Sequence, residues 1–134
     1  MSLEKNKLLV REFYETIERQ DYELLKKFCH KDFIFYPQIN SPFKGIEGLM
    51  ESEKKNFDAF SQFTFSITEL IAEKDLVAAY MEFKGIHTGT FHHIEPTNNK
   101  VHFSLMMLLR IKDNKIIEKH SHVDVNDILM QLKK

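Results

Sequence analysis

The chain has 134 residues, close to the usual size of one folding unit, and is read as a single domain over residues 1–134. Its 19 Lys and Arg against 20 Asp and Glu leave a formal charge of −1, which excludes the global basic surface that nucleic-acid binding needs. With 43% hydrophobic and 29% charged residues it is a globular sequence and not a disordered one.

One cysteine, Cys29, excludes an intrachain disulfide and fits a reducing compartment. The longest apolar run, Leu76 to Met81, is far too short for a membrane span, and Met1 to Lys7 is too charged for a secretory signal. The expectation is a cytoplasmic protein with neither a nucleic-acid nor a membrane partner. The aromatic complement is 12 Phe and 4 Tyr with no Trp, suited to a wide core or a large apolar pocket.

Helices are predicted first. Val10, Phe13, Tyr14 and Ile17 form one apolar stripe at i, i+3, i+4, i+7, with Ser2 as a candidate N-cap and Lys5 as the alternative start. A short second helix, Asp21 to Phe28, is capped by Asp21. A third, Ile46 to Phe60, follows Pro42 and Gly45; its middle, Glu51 to Asn56, is polar throughout, so only its ends call for deep burial.

Strands follow. Phe63, Phe65 and Ile67 alternate with Thr64, Ser66 and Thr68. Leu76 to His87 places Val77, Ala79, Met81, Phe83, Gly85 and His87 on one face. Gly89 to Asn99 reads as a loop. Val101 to Ile111 carries an unbroken apolar face at its odd positions, and Asp113-Asn114 makes a hairpin turn. Lys115 to Asp124 returns antiparallel, and Val125 to Lys134 closes the chain with a short helix. Helices followed by antiparallel strands give an α+β class. Strands of about twelve residues, twice the common length, must bend. The expected architecture is a cone-shaped, strongly bent, mainly antiparallel sheet wrapped around the N-terminal helices, with a cavity at its open end.

The last strand is the informative one. It offers Glu118, His120, His122 and Asp124 on one face and Lys119, Ser121 and Val123 on the other. A strand beside the core yet polar on both faces must meet water, a partner or a polar pocket. His87 ends an apolar face: it is either a rim histidine tied to backbone or a pocket-lining acid/base. His120 and His122 have His-x-His spacing, but no second ligand pair accompanies them, and solvated histidines account for the cluster without a metal. Cys29 has no activating partner in the sequence, and there is no glycine-rich phosphate loop.

Three segments carry a resemblance: NKLLVREFYETIERQDYELLKKFCHKDFIFY, KGIEGLMESEKKNF, and the block from ELIAEKDLVAAYMEF to VDVNDILMQL, with Gly85 to Gly89, Pro96-Thr97 and Arg110 to Ile116 weighing most. In this order the chain resembles the SnoaL-like polyketide cyclases of the nuclear transport factor 2-like superfamily. The resemblance implies a cone fold with one apolar pocket, a small apolar organic ligand, a homodimer, and ring closure by aldol chemistry without metal or organic cofactor. It also implies that the family's acid/base aspartate falls on Ser121 and its supporting histidine on Met107, while His87 matches a pocket histidine.

The catalytic candidates are therefore His87, Ser121, and His120 or His122 should a β-bulge turn one inward. Lys119 is placed to stabilise an enolate. Tyr14, Phe33, Tyr36, Phe57, Met81, Phe83, Leu105 and Met107 are the candidate pocket walls, with Phe13, Phe35 and Phe60 as further core or wall residues. Two readings stay open: a cofactor-independent cyclase or isomerase acting on an apolar carbonyl compound, and a non-catalytic module that binds a hydrophobic ligand or dimerises.

Overall fold

The computed structural model describes residues 2–134. Helix α1, Leu3–Glu18, starts at Ser2, whose hydroxyl accepts the Lys5 amide at 3.3 Å. Its stripe Val10, Phe13, Tyr14 and Ile17 is buried. The second helical segment is shorter than its periodicity suggests. Tyr22–Leu25 forms α2, capped by Asp21, and Lys26–Phe28 tightens into a 3-10 turn that delivers the chain into β1, Cys29–Tyr36.

A two-residue strand β2, Phe43–Lys44, leads through Gly45 (φ 88°) into α3, Ile46–Asp58. Then come β3 (Phe60–Glu73), β4 (Leu76–His87), β5 (Lys100–Lys112), β6 (Lys115–Val123) and α4 (Val125–Leu132). Asp124 does not extend the last strand: its carboxylate accepts the Asp127 amide at 3.0 Å and caps α4.

The strands form one sheet in the order β2-β1-β6-β5-β4-β3, antiparallel except where β1 runs parallel to β6. The sheet is curved and does not close. Its bends coincide with register shifts in β3 between Ser61 and Thr64 and between Ile67 and Glu69. At the second aromatic turn of this strand the Phe65 amide donates to the Glu18 carboxylate at 2.7 Å, so α1 is fastened to the bent region as well as packed on it.

Helices α1 and α3 lie against the concave face, and α4 packs on β5. Val77, Ala79, Met81, Phe83, Gly85 and His87 are all buried, as strand parity predicts. The hairpin between β5 and β6 turns through Asp113 (φ 53°) and Asn114 (φ 60°), the left-handed pair a two-residue turn requires. Among the described residues no helix is long and apolar enough to cross a membrane.

Candidate active site

The concave face, α3 and the loop after β4 leave a cavity of about 340 Å³. Its walls are aromatic: Phe35, Phe57, Phe60, Phe65, Phe83, Phe91 and Phe103 line it, with Leu105 and Met107 from β5. Phe83 stacks on Phe103 with ring centres 5.1 Å apart, and Phe57 stacks on Phe63 at 4.7 Å. Phe103 and Leu105 are only half-buried, because the space their side chains face is hollow. The exposed Lys55, Asn56 and His92 mark the mouth.

Three polar groups meet at one part of this wall. Strand alternation and an unbroken β5–β6 register, from Leu105 opposite Val123 to Arg110 opposite Glu118, point Lys119, Ser121 and Val123 inward. Lys119 lies opposite the buried Leu109 and is itself fully buried. Its ammonium donates to Ser121 Oγ at 2.7 Å and stands 3.8 Å from Glu53 Oε1 of α3. It also sits over the Phe35 ring, 4.7 Å from its centre, and 5.8 Å from that of Tyr14. Glu53, Ser121 and Phe35 all line the cavity.

Burial pushes the Glu53 carboxyl up from its ordinary value, and the Lys119 charge pulls it back only in part. Burial likewise draws the Lys119 ammonium down, opposed by Glu53. Burial raises the Tyr14 phenol well above its usual range, with Glu53 adding to the effect. The chemistry of such a pair is proton exchange: each group is displaced toward its neutral form by the same dry surroundings.

Glu53 is absent from the sequence-based candidates, although a signal for it exists. Leu49, Glu53 and Phe57 follow one another at i, i+4, i+8, and all three are buried on one face of α3. The polar middle of that helix is therefore not wholly solvated.

Several sequence-based candidates lie elsewhere. His87 is fully buried but does not line the cavity; Phe60 and Phe91, which do, form the wall near it, with the Phe60 and His87 rings 5.8 Å apart. The His87 Nδ1 accepts the Thr97 amide at 3.1 Å and lies 3.0 Å from the Thr97 hydroxyl, so it anchors the returning loop. His87→Ala should consequently lower stability by about 2–3 kcal/mol, read as an earlier denaturation midpoint. It should leave binding in the cavity intact; lost binding at unchanged stability would restore His87 to the site.

The pairing at the turn, Lys112 with Lys115 and Ile111 with Ile116, would by itself carry His120 and His122 opposite Met107 and Leu105 on the inner face. The register shift between Arg110 and Ile111 puts one extra residue into β6, so both histidines lie on the outer face. There His120 stacks on Tyr36 at 4.4 Å and contacts Glu118 at 3.1 Å. Tyr36 is outside for the same reason of parity: its neighbour Phe35 points in. Tyr14, Phe33 and Met81 are core residues and not wall. Phe57, Phe83, Leu105, Met107 and Ser121 do line the cavity, with Lys119 directly behind it. Among the described residues no three His, Cys, Asp or Glu side chains come together as a metal-binding group. Cys29 is buried, and burial pushes its thiol up to about 12 against the pull of Lys119 and Lys115.

The sequence matches the SnoaL-like polyketide cyclase family over residues 8–132. The chain belongs to that family. No curated protein matches the sequence closely. Among solved structures, AclR of Streptomyces galilaeus, a candidate hydroxylase, superposes with a TM-score of 0.87 at 23% identity, covering 98% of this chain and 83% of its own. A SnoaL-like polyketide cyclase from Agrobacterium tumefaciens gives 0.77 at 19%, covering 92% and 94%. An epoxide hydrolase of the LEH-like type from M. tuberculosis gives 0.74 at 14%, covering 98% and 91%. At these identities the likeness establishes the shared nuclear transport factor 2-like fold, which hosts different chemistries. In this SnoaL-like chain the polar cluster draws on α3 as well as on the last strand.

Proposed function

We propose that this SnoaL-like protein is a cofactor-independent acid/base catalyst that enolises a small apolar carbonyl compound, as a cyclase or isomerase would. The observation that carries this reading is the meeting of Glu53, Lys119 and Ser121 at an otherwise aromatic cavity wall. A serine hydroxyl is too weak a base to take an α-proton unaided. A carboxylate held in a dry wall is strong enough, and its raised value brings it nearer the pH at which it works. Lys119 and the Ser121 hydroxyl supply donors for the enolate oxygen that develops as the proton leaves. The aromatic walls exclude water and hold the substrate's carbon skeleton, which supplies orientation more than chemistry.

The test uses α-tetralone, a flat aryl ketone, in D₂O with deuterium incorporation at its α-carbon followed by NMR. The protein should accelerate exchange, and Leu105→Trp, which fills the cavity from β5, should abolish both binding and acceleration. Exchange that survives the plug would put the chemistry elsewhere. Binding that the plug abolishes, without any exchange in the unmodified protein, would favour the ligand-binding module instead.

A further inference from the structure

We infer that Lys119 is an amine nucleophile that condenses with a carbonyl ligand in the cavity to form an imine. The inference deepens the acid/base reading and uses the same site, but it adds a covalent step. Three of the groups around the ammonium, Ser121, Glu53 and Phe35, themselves line the cavity, so the Lys119 Nζ stands one side chain behind the hollow. Ser121 Oγ, which accepts from this nitrogen at 2.7 Å, belongs to the cavity wall, and the flexible four-carbon lysine stem lets the nitrogen exchange that contact for a ligand carbonyl. The ammonium has one carboxylate at 3.8 Å, a neutral hydroxyl at 2.7 Å and aromatic faces around it. These contacts favour the charge, but the nitrogen is fully buried and loses its hydration, which outweighs them and draws it toward the neutral amine, as its lowered proton affinity also indicates.

The chemistry balances within the pair. Proton transfer from Lys119 to Glu53 gives a neutral amine and a neutral acid. The amine nitrogen adds to the carbonyl carbon, and the resulting hydroxyl leaves as water with the proton returned by Glu53. What remains is a cationic iminium beside the Glu53 carboxylate. That carboxylate can then take the α-proton to give an enamine, with the iminium nitrogen accepting the electron pair. Water reverses the sequence and releases the product. No oxidant, reductant or further reactant enters.

The experiment treats the full chain with pentane-2,4-dione, which gives a stable enaminone with an accessible neutral amine and needs no reductant. Intact mass should rise by one dione less one water per chain, and peptide mapping should place the adduct on Lys119. Excess α-tetralone should slow the labelling. Lys119→Arg, checked for folding by circular dichroism, should lose the adduct; mapping on the unmodified protein gives the same answer if that variant does not fold. Adducts confined to the exposed lysines, with Lys119 unlabelled, would overturn the inference. If α-exchange continues while Lys119 stays unlabelled, the imine is wrong and the acid/base reading stands. If Lys119 labels but no exchange occurs, the imine stands and the acid/base reading fails.

Discussion

Glu53→Gln is expected to slow α-proton exchange on α-tetralone by roughly 10²–10⁴-fold, the usual contribution of one positioned acid/base group. Binding of the ketone should change little, because glutamine keeps the shape of the wall. The pH profile gives the same prediction a second reading. The groups around the Glu53 carboxyl are Lys119 on β6, Tyr14 on α1 and Tyr22 on α2. Burial raises Glu53, so the acid limb of the rate should rise at a pH above the ordinary carboxylate range. Burial lowers Lys119, so the alkaline limb should fall before ordinary lysines titrate. The two limbs belong to the coupled pair and not to either residue alone. Glu53→Gln should remove the acid limb. An unchanged rate in that variant would remove Glu53 from the chemistry.

Lys119→Met should cost about 3–5 kcal/mol of stability at neutral pH, because it strands the Glu53 carboxylate in a dry wall without its counter-charge. The double variant Lys119→Met with Glu53→Leu should recover most of that loss, since apolar replacement of a buried pair is often neutral or stabilising. The acid dependence of the single variant follows from linkage. A carboxyl whose folded value lies above its unfolded one favours the fold in its protonated form. Its favourable contribution is complete below the ordinary glutamate range and is lost as pH rises through the raised folded value. The single variant should therefore regain stability, relative to the double, as pH is lowered. Denaturant midpoints across pH measure this. A single variant as stable as the parent at neutral pH would mean that Glu53 finds water, and the site would not be dry.

Strand parity shows the inward residues of β4 and β5, but not those of β6. With the odd residues of Val101 to Ile111 inward, the two-residue turn at Asp113-Asn114 alone would turn Ile116, Glu118, His120 and His122 inward. The extra β6 residue at the register shift beside Arg110 and Ile111 brings in Lys119, Ser121 and Val123 instead, and alternation does not encode that shift. The curvature is legible from strand length, although not where it falls, because the register shifts in β3 depend on how α1 meets the sheet. His87 ends an apolar face and is indeed buried on it. Its separation from the cavity depends on how the loop carrying Phe91 and Thr97 folds back, a non-local packing event that one-dimensional periodicity does not encode. Glu53 was hidden by its polar neighbours, since each turn of α3 averages out as solvated while the spacing from Leu49 to Phe57 does not.

The most direct measurement is a ¹³C NMR titration of the Glu53 side-chain carboxyl in glutamate-labelled protein, assigned with Glu53→Gln and repeated with α-tetralone present. The carboxyl should titrate above its ordinary range and shift when the ketone binds. A resonance that titrates like the surface glutamates and ignores the ligand would place Glu53 in water and leave the cavity without its base.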